Sequence, residues 1–186
     1  MCDSVFFLTR TKEIKGDNMD IVDYKERAEL AKKNDENIEI PNSTFEHAIF
    51  LTDLLLEGAN DSVKILTGSL NDNFYFSKMK DVFNTLIDRG VSIQLIVWHK
   101  ITDNNFLNEF KGKFTIKKAE VEENPEKRVK HFTVVDHKGY RLECTHEPQD
   151  ENEQNYKVKG TVNFNDPYTA RTLEEVFDDV WDKIPS

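Results

Sequence analysis

The sequence predicts an α/β domain, a mixed β-sheet flanked by helices, and three stretches carry that prediction. Residues 62–97 run strand, helix, strand, with Gly90 as the helix stop; residues 130–143 read as two strands joined by a tight turn; and amphipathic segments beginning near Ser43 and at Asp166-Pro167 supply helices to cover a sheet. The chain has 186 residues, 38% of them hydrophobic and 13 of them Phe, enough for one buried core and too little for two ordinary ones.

Ser4 to Arg10 reads as an opening strand around Val5-Phe6-Phe7-Leu8. Asp20 caps a helix through about Lys33, with Ile21, Tyr24, Ala28, Leu30 and Ala31 as its apolar face. The polar run Asn34-Asp35-Glu36-Asn37 ends it, and Ile38-Glu39-Ile40 reads as a short strand. Residues 1–42 are expected to form an extension packed on a domain spanning 43–186. Ser43, with Glu46 three positions later, has the spacing of a capping box. The helix from there to Gly58 buries Phe45, Ala48, Leu51, Leu55 and Leu56.

Ser62 to Gly68 is the next strand, Phe74 to Arg89 a helix, and Val91 to Val97 a second strand, together a right-handed parallel crossover. A short helix, Asn105 to Phe110, and a strand, Phe114 to Ala119, lead into a charged linker from Glu120 to Lys127. The strand pair follows, turning at His137-Lys138-Gly139. Thr145 to Gln154 lacks apolar periodicity and reads as an exposed loop. Tyr156 to Phe164 is the last strand, and Asp166-Pro167 opens a final helix with Val176, Phe177, Val180, Trp181 and Ile184 facing the core.

Acidic residues outnumber basic ones by 35 to 25, and the formal net charge of -10 opposes sequence-independent attraction to nucleic acid or to an anionic membrane. The lysines at 111, 113, 117 and 118, like the run Glu126 to His131, read as solvated edges. Cys2 and Cys144 stand far apart without metal-ligand spacing, which points to a reducing compartment and no zinc. No apolar run approaches the roughly 20 residues of a membrane span, and no basic-flanked leader opens the chain, so a cytoplasmic location is expected. His146 with Glu147, Asp150 and Glu151 reads as a solvated acidic loop. Phosphate-binding glycine loops are missing too, so neither a cofactor nor a metal is expected.

Lys130-His131-Phe132-Thr133-Val134-Val135-Asp136 with its return strand to Glu143, followed by Gly160-Thr161-Val162-Asn163, resembles the C-terminal half of a phospholipase D-like domain. In that family a signature His-x-Lys-x-x-x-x-Asp runs along one strand and a Gly-Ser-x-Asn segment follows. Asp88-Arg89-Gly90-Val91 is similar to a recurring family element before the strand that supports the site. Matching Asp136 to the family's Asp puts Val129 at the His position and His131 at the Lys position. Anchoring on His131 puts Thr133 at the Lys position and Lys138 at the Asp position. Neither register restores the set.

The resemblance spans roughly residues 43 to 184, one half of a fold that the family builds from two. Intact members use two facing histidines, one as nucleophile and one as general acid, and one-signature chains bring them together by pairing two copies across a two-fold axis. Carried over, it implies a site around His131, with Asn163 at the family's Asn, Thr161 at its Ser and Asp136 at its Asp. The expected function is a degenerate, non-catalytic module that recognises a protein partner or an anionic small ligand, or that self-associates as a homodimer. The alternative is a divergent metal-independent phosphodiesterase or nuclease assembled as a dimer around His131. Phe74-Tyr75-Phe76 and Trp98 are candidate contact residues.

Overall fold

The computed structural model describes residues 21–42, 44–68, 70–99, 104–121, 129–144 and 159–185. The elements are α1 (Ile21–Lys33), β1 (Ile40–Asn42), α2 (Phe45–Glu57), β2 (Ser62–Thr67), α3 (Tyr75–Asp88) and β3 (Ser92–His99). They continue with α4 (Asn105–Phe110), β4 (Thr115–Val121), β5 (Phe132–Val135), β6 (Gly139–Glu143), β7 (Gly160–Asn163) and α5 (Pro167–Lys183). The expected strand at Ser4 to Arg10, the cap at Ser43 and the loop from Thr145 to Gln154 lie outside the described residues.

Among the described residues the strands make one seven-stranded sheet in the order β1-β7-β6-β5-β2-β3-β4. β2, β3 and β4 are mutually parallel, whereas β1, β7, β6 and β5 are antiparallel neighbours. The two halves meet at the antiparallel pair β2–β5. This is the mixed α/β architecture read from the sequence.

Strand side chains alternate between faces, and each face here has its own apolar layer. On one face Val63, Ile65, Leu95, Val97, Val135 and Val162 pack with Ala28, Leu51, Leu55, Met79, Phe83 and Phe106 from α1 to α4. On the other, Leu66, Ile96, Phe132, Val134 and Tyr140 pack beneath Ala170 and Phe177 of α5. The central strands are therefore apolar on both faces, which is why they read as continuous hydrophobic runs.

Local chemistry explains most element ends. Thr44 caps α2 by accepting the His47 N–H at 3.1 Å. Arg89, from the Arg-Gly-Val element, closes the other end of α2 by donating to the carbonyls of Glu57 and Ala59. Gly90 has φ +75, the left-handed conformation that lets α3 stop. Asp166 accepts the Thr169 N–H at 3.1 Å ahead of Pro167 to start α5.

Several readings shift. The strand expected at Ile38-Glu39-Ile40 lies instead at Ile40–Asn42, and Pro41 is tolerated because β1 is an edge. Val176 was expected inward but is 48% exposed, while Ala170 and Glu174 are buried, because the stripe of α5 is rotated toward its first turns. Phe74 is a buried core residue, with Tyr75 and Phe76 packed against the same layer, so this trio is not an exposed contact patch.

The β5–β6 turn sits one residue earlier than predicted. Asp136 (φ 50) and His137 (φ 58) occupy consecutive left-handed positions, and the Lys138 N–H returns to the Val135 carbonyl at 3.1 Å, the backbone of a type I′ hairpin turn. What holds a non-glycine pair there is side-chain bonding. The Asp136 carboxylate accepts the N–H groups of Asn60, Asp61 and Ser62 at 2.8, 2.9 and 3.0 Å, and His137 Nδ1 lies 2.7 Å from Glu174 of α5. Asp136→Ala is expected to lower stability by about 3 kcal/mol in urea unfolding, since three hydrogen bonds to an ionised acceptor disappear. A loss under about 1 kcal/mol would mean that water replaces the carboxylate at no cost.

Candidate functional site

The C-terminal ends of β2 and β3, where open α/β sheets carry their ligands, meet the start of β5 and the end of β6. Leu66 pairs with Phe132, so Thr67 falls beside His131. The Glu143 N–H donates to the His131 carbonyl at 2.8 Å, Glu143 pairs with Gly160, and Gly160 pairs with Asn42. Alternation puts Thr67, His131, Glu143 and Asn42 on the face of Val63 and Ile65, under α1 to α4. They form a polar row across five strands, with Thr133 and Arg141 in the row behind.

Two glycines make the row possible. A Cβ on Gly68 would meet His131 Nε2 at 2.6 Å and His99 Cδ2 at 3.2 Å, so both imidazoles lie against the same bare backbone. A Cβ on Gly160 would meet the Leu142 carbonyl oxygen at 2.7 Å and Asn42 Oδ1 at 3.2 Å. Within the Gly160 to Asn163 segment it is the glycine that adjoins the row.

Glu143 is the electrostatic centre. Its Oε2 is 3.3 Å from His131 Nδ1 and its Oε1 is 3.1 Å from Arg141 Nη2. Burial pushes its carboxyl up, but the Arg141 charge and the His131 hydrogen bond outweigh that and hold it well below the usual carboxylate range. Arg141 is only 4% exposed and its guanidinium lies 5.7 Å from the centre of the Phe74 ring. Its Nε and Nη2 are buried and make no aligned hydrogen bond to any described residue. The unmet Nε–H costs on the order of 1–3 kcal/mol, so the fold tolerates a defect here. Nearby, burial pushes the Tyr24 phenol up while Arg141 pulls it back, and its hydroxyl donates to the Pro41 carbonyl at 2.9 Å.

The structure does not bring the four expected site residues together. His131 is in the row. Asp136 is at the opposite end of β5, engaged with the N–H groups of residues 60–62. Asn163 and Thr161 pair with Tyr140 and Leu142, which places them on the α5 face. Asn163 donates to Asn37 Oδ1 at 2.9 Å and accepts the Asn165 N–H at 3.0 Å, so its amide serves the turn into α5. Val129, which the Asp136-anchored register would set at the family's His position, packs half-buried against the apolar layer beneath α5. The residues the sequence reading missed are Arg141 and Glu143. Their signal was two charges spaced i, i+2 and alternating with Tyr140 and Leu142, on a strand apolar on its other face.

Among the described residues no group of three or more His, Cys, Asp or Glu side chains is arranged to hold a metal ion. No described helix is long and apolar enough to cross a membrane.

The chain matches no protein-family model and no curated protein sequence. Its fold is nevertheless shared by solved structures. Nuc from Salmonella typhimurium, a phospholipase D family member, superposes with a TM-score of 0.59 at 13% identity, over 79% of this chain and 95% of that one. NucT from Helicobacter pylori gives 0.55 at 12% identity, over 83% and 92%. TrmBL2, an archaeal chromatin protein with a novel mode of DNA binding, gives 0.54 at 16% identity over 88% of this chain, which spans only 60% of TrmBL2. At these identities the likeness is one of fold: the domain is phospholipase D-like in architecture.

Glu143→Gln removes the counter-charge and leaves Arg141 buried, so urea unfolding at pH 7 is expected to show a loss of about 3–5 kcal/mol. Because the folded-state carboxyl is held low, this contribution is present above the ordinary carboxylate range and falls away as pH drops below it. The gap between wild type and variant is therefore expected to narrow from about pH 5 downward. A gap independent of pH would refute the ion-pair account of Glu143.

Proposed function

We propose that this domain is a non-catalytic phospholipase D-like module that recognises an anionic small ligand or the anionic group of a partner through the row of Thr67, His131 and Glu143 with Arg141 behind it. One observation carries the reading. In the register that matches Asp136 to the family's Asp, the position of the nucleophilic histidine falls on Val129, half-buried against the apolar layer under α5, on the face away from the row. What remains at the row is a fixed buried cation, Arg141, beside an imidazole whose Nδ1 faces the Glu143 carboxylate, groups that bind rather than attack. Self-association is part of the proposal, since one half of the fold presents one such row. Nucleic acid is the less favoured partner at a net charge of -10.

A second reading, a divergent metal-independent phosphodiesterase around His131, is favoured by the carboxylate of Glu143 behind His131 Nδ1. That arrangement fixes a tautomer and orients an imidazole for proton transfer. The two are separated by following turnover of a generic phosphodiester and of single-stranded DNA in excess chelator, for the wild type and for His131→Ala. The expected outcome is no cleavage above the variant's background. Metal-independent cleavage that disappears with His131→Ala would overturn the non-catalytic reading.

A further inference from the structure

We propose that Arg141 is the anchor of a binding site for a singly charged carboxylate, an inference that rests on the anion-recognition reading above and names its ligand. On a guanidinium, Nε–H and one terminal N–H lie side by side, a fork that matches the two oxygens of a carboxylate or a phosphate. In Arg141 the fork atoms are Nε and Nη2. Both are buried, and neither makes an aligned hydrogen bond to any described residue. Native proteins seldom leave such groups unmet, and a charged one is the strongest case.

Glu143 does not fill the fork. It approaches Nη2 at 3.1 Å but off the line of the N–H, and its other oxygen is committed to His131. Phe74 covers a face of the guanidinium and leaves its edge unsatisfied. The start of α3 does not compete for the anion, because the N–H groups of Tyr75, Phe76 and Ser77 already bond to the carbonyls of Asn71 and Asp72.

Charge selects between the two oxyanions. Arg141 and the ionised Glu143 cancel, so an incoming ligand lies beside a fixed negative charge. A carboxylate adds one negative charge beside Glu143, whereas a phosphate dianion adds two and is repelled the more. The fork atoms are closed to solvent, so binding requires the packing around Arg141 to open.

The test uses the whole chain, with sodium acetate and inorganic phosphate as probes at constant ionic strength. The readouts are the Arg141 Nε–H resonance in the wild type and the thermal unfolding midpoint. The expected result is a saturable resonance shift with acetate, tighter than with phosphate at neutral pH, and a midpoint that rises with acetate. Arg141→Lys keeps the charge but loses the fork, and is expected to weaken acetate binding by about tenfold or more. Saturation by phosphate in preference to acetate would overturn the carboxylate assignment. A resonance unmoved by either anion would overturn the site itself, whatever the fate of the variant. Neither of these failures alters the cleavage assay, so a chain that binds no acetate and cleaves nothing loses this inference and keeps the non-catalytic reading.

Discussion

The Asp136 carboxylate joins the two halves of the sheet. By accepting three consecutive N–H groups at the entrance to β2, it locks the β5–β6 turn to the strand that begins the parallel half. Pairing then runs from Val63 opposite Val135 to Leu66 opposite Phe132, and the next step along sets Thr67 beside His131. A slip of one residue would turn every side chain of β5 to the other face, putting His131 into the apolar layer of α5 and Phe132 among the charges. A residue that resembles part of a catalytic signature thus acts five residues away from the row, by fixing its register.

The row costs stability that an apolar sheet would keep. Arg141 and Glu143 are both nearly closed to solvent, and a buried ion pair of this kind rarely outperforms hydrophobic residues of the same volume. Around it the packing follows ordinary rules: aromatic rings of α3 and α4 interlock at Phe83, Phe106 and Phe110, and both sheet faces are covered. Local departures from such rules in an otherwise consistent fold concentrate where a protein works. That contrast, more than any single residue type, is what makes this end of the sheet the candidate site.

The parts of the fold legible in the sequence were those with a period. The crossover from Ser62 to Val97 and the helix after Asp166-Pro167 carry caps, stops and apolar spacing that physics reads locally. The face on which a residue lands was less legible. Asn163 looked like a site residue because of its spacing from Gly160, yet strand alternation from the same glycine sends it to the opposite face. Val176 looked like core because it is apolar, but the buried stripe of α5 runs through Ala170, Glu174 and Phe177. Arg141 and Glu143 gained meaning only once β6 was set against His131, a pairing that no local pattern announces.

The seam between β2 and β5 also bears on how the chain folds. Asp136 reaches residues 74 to 76 positions earlier in sequence, and closing a loop of that size costs on the order of 4 kcal/mol in chain entropy. The clamp alone does not offset that cost, so it forms together with the strand pairing around it. The β2–α3–β3 crossover closes far shorter loops and can assemble first, leaving the antiparallel half to dock in one late, cooperative event. In such an order of assembly the polar row has no existence in partly folded chains: its two sides are brought together by the last step to native structure.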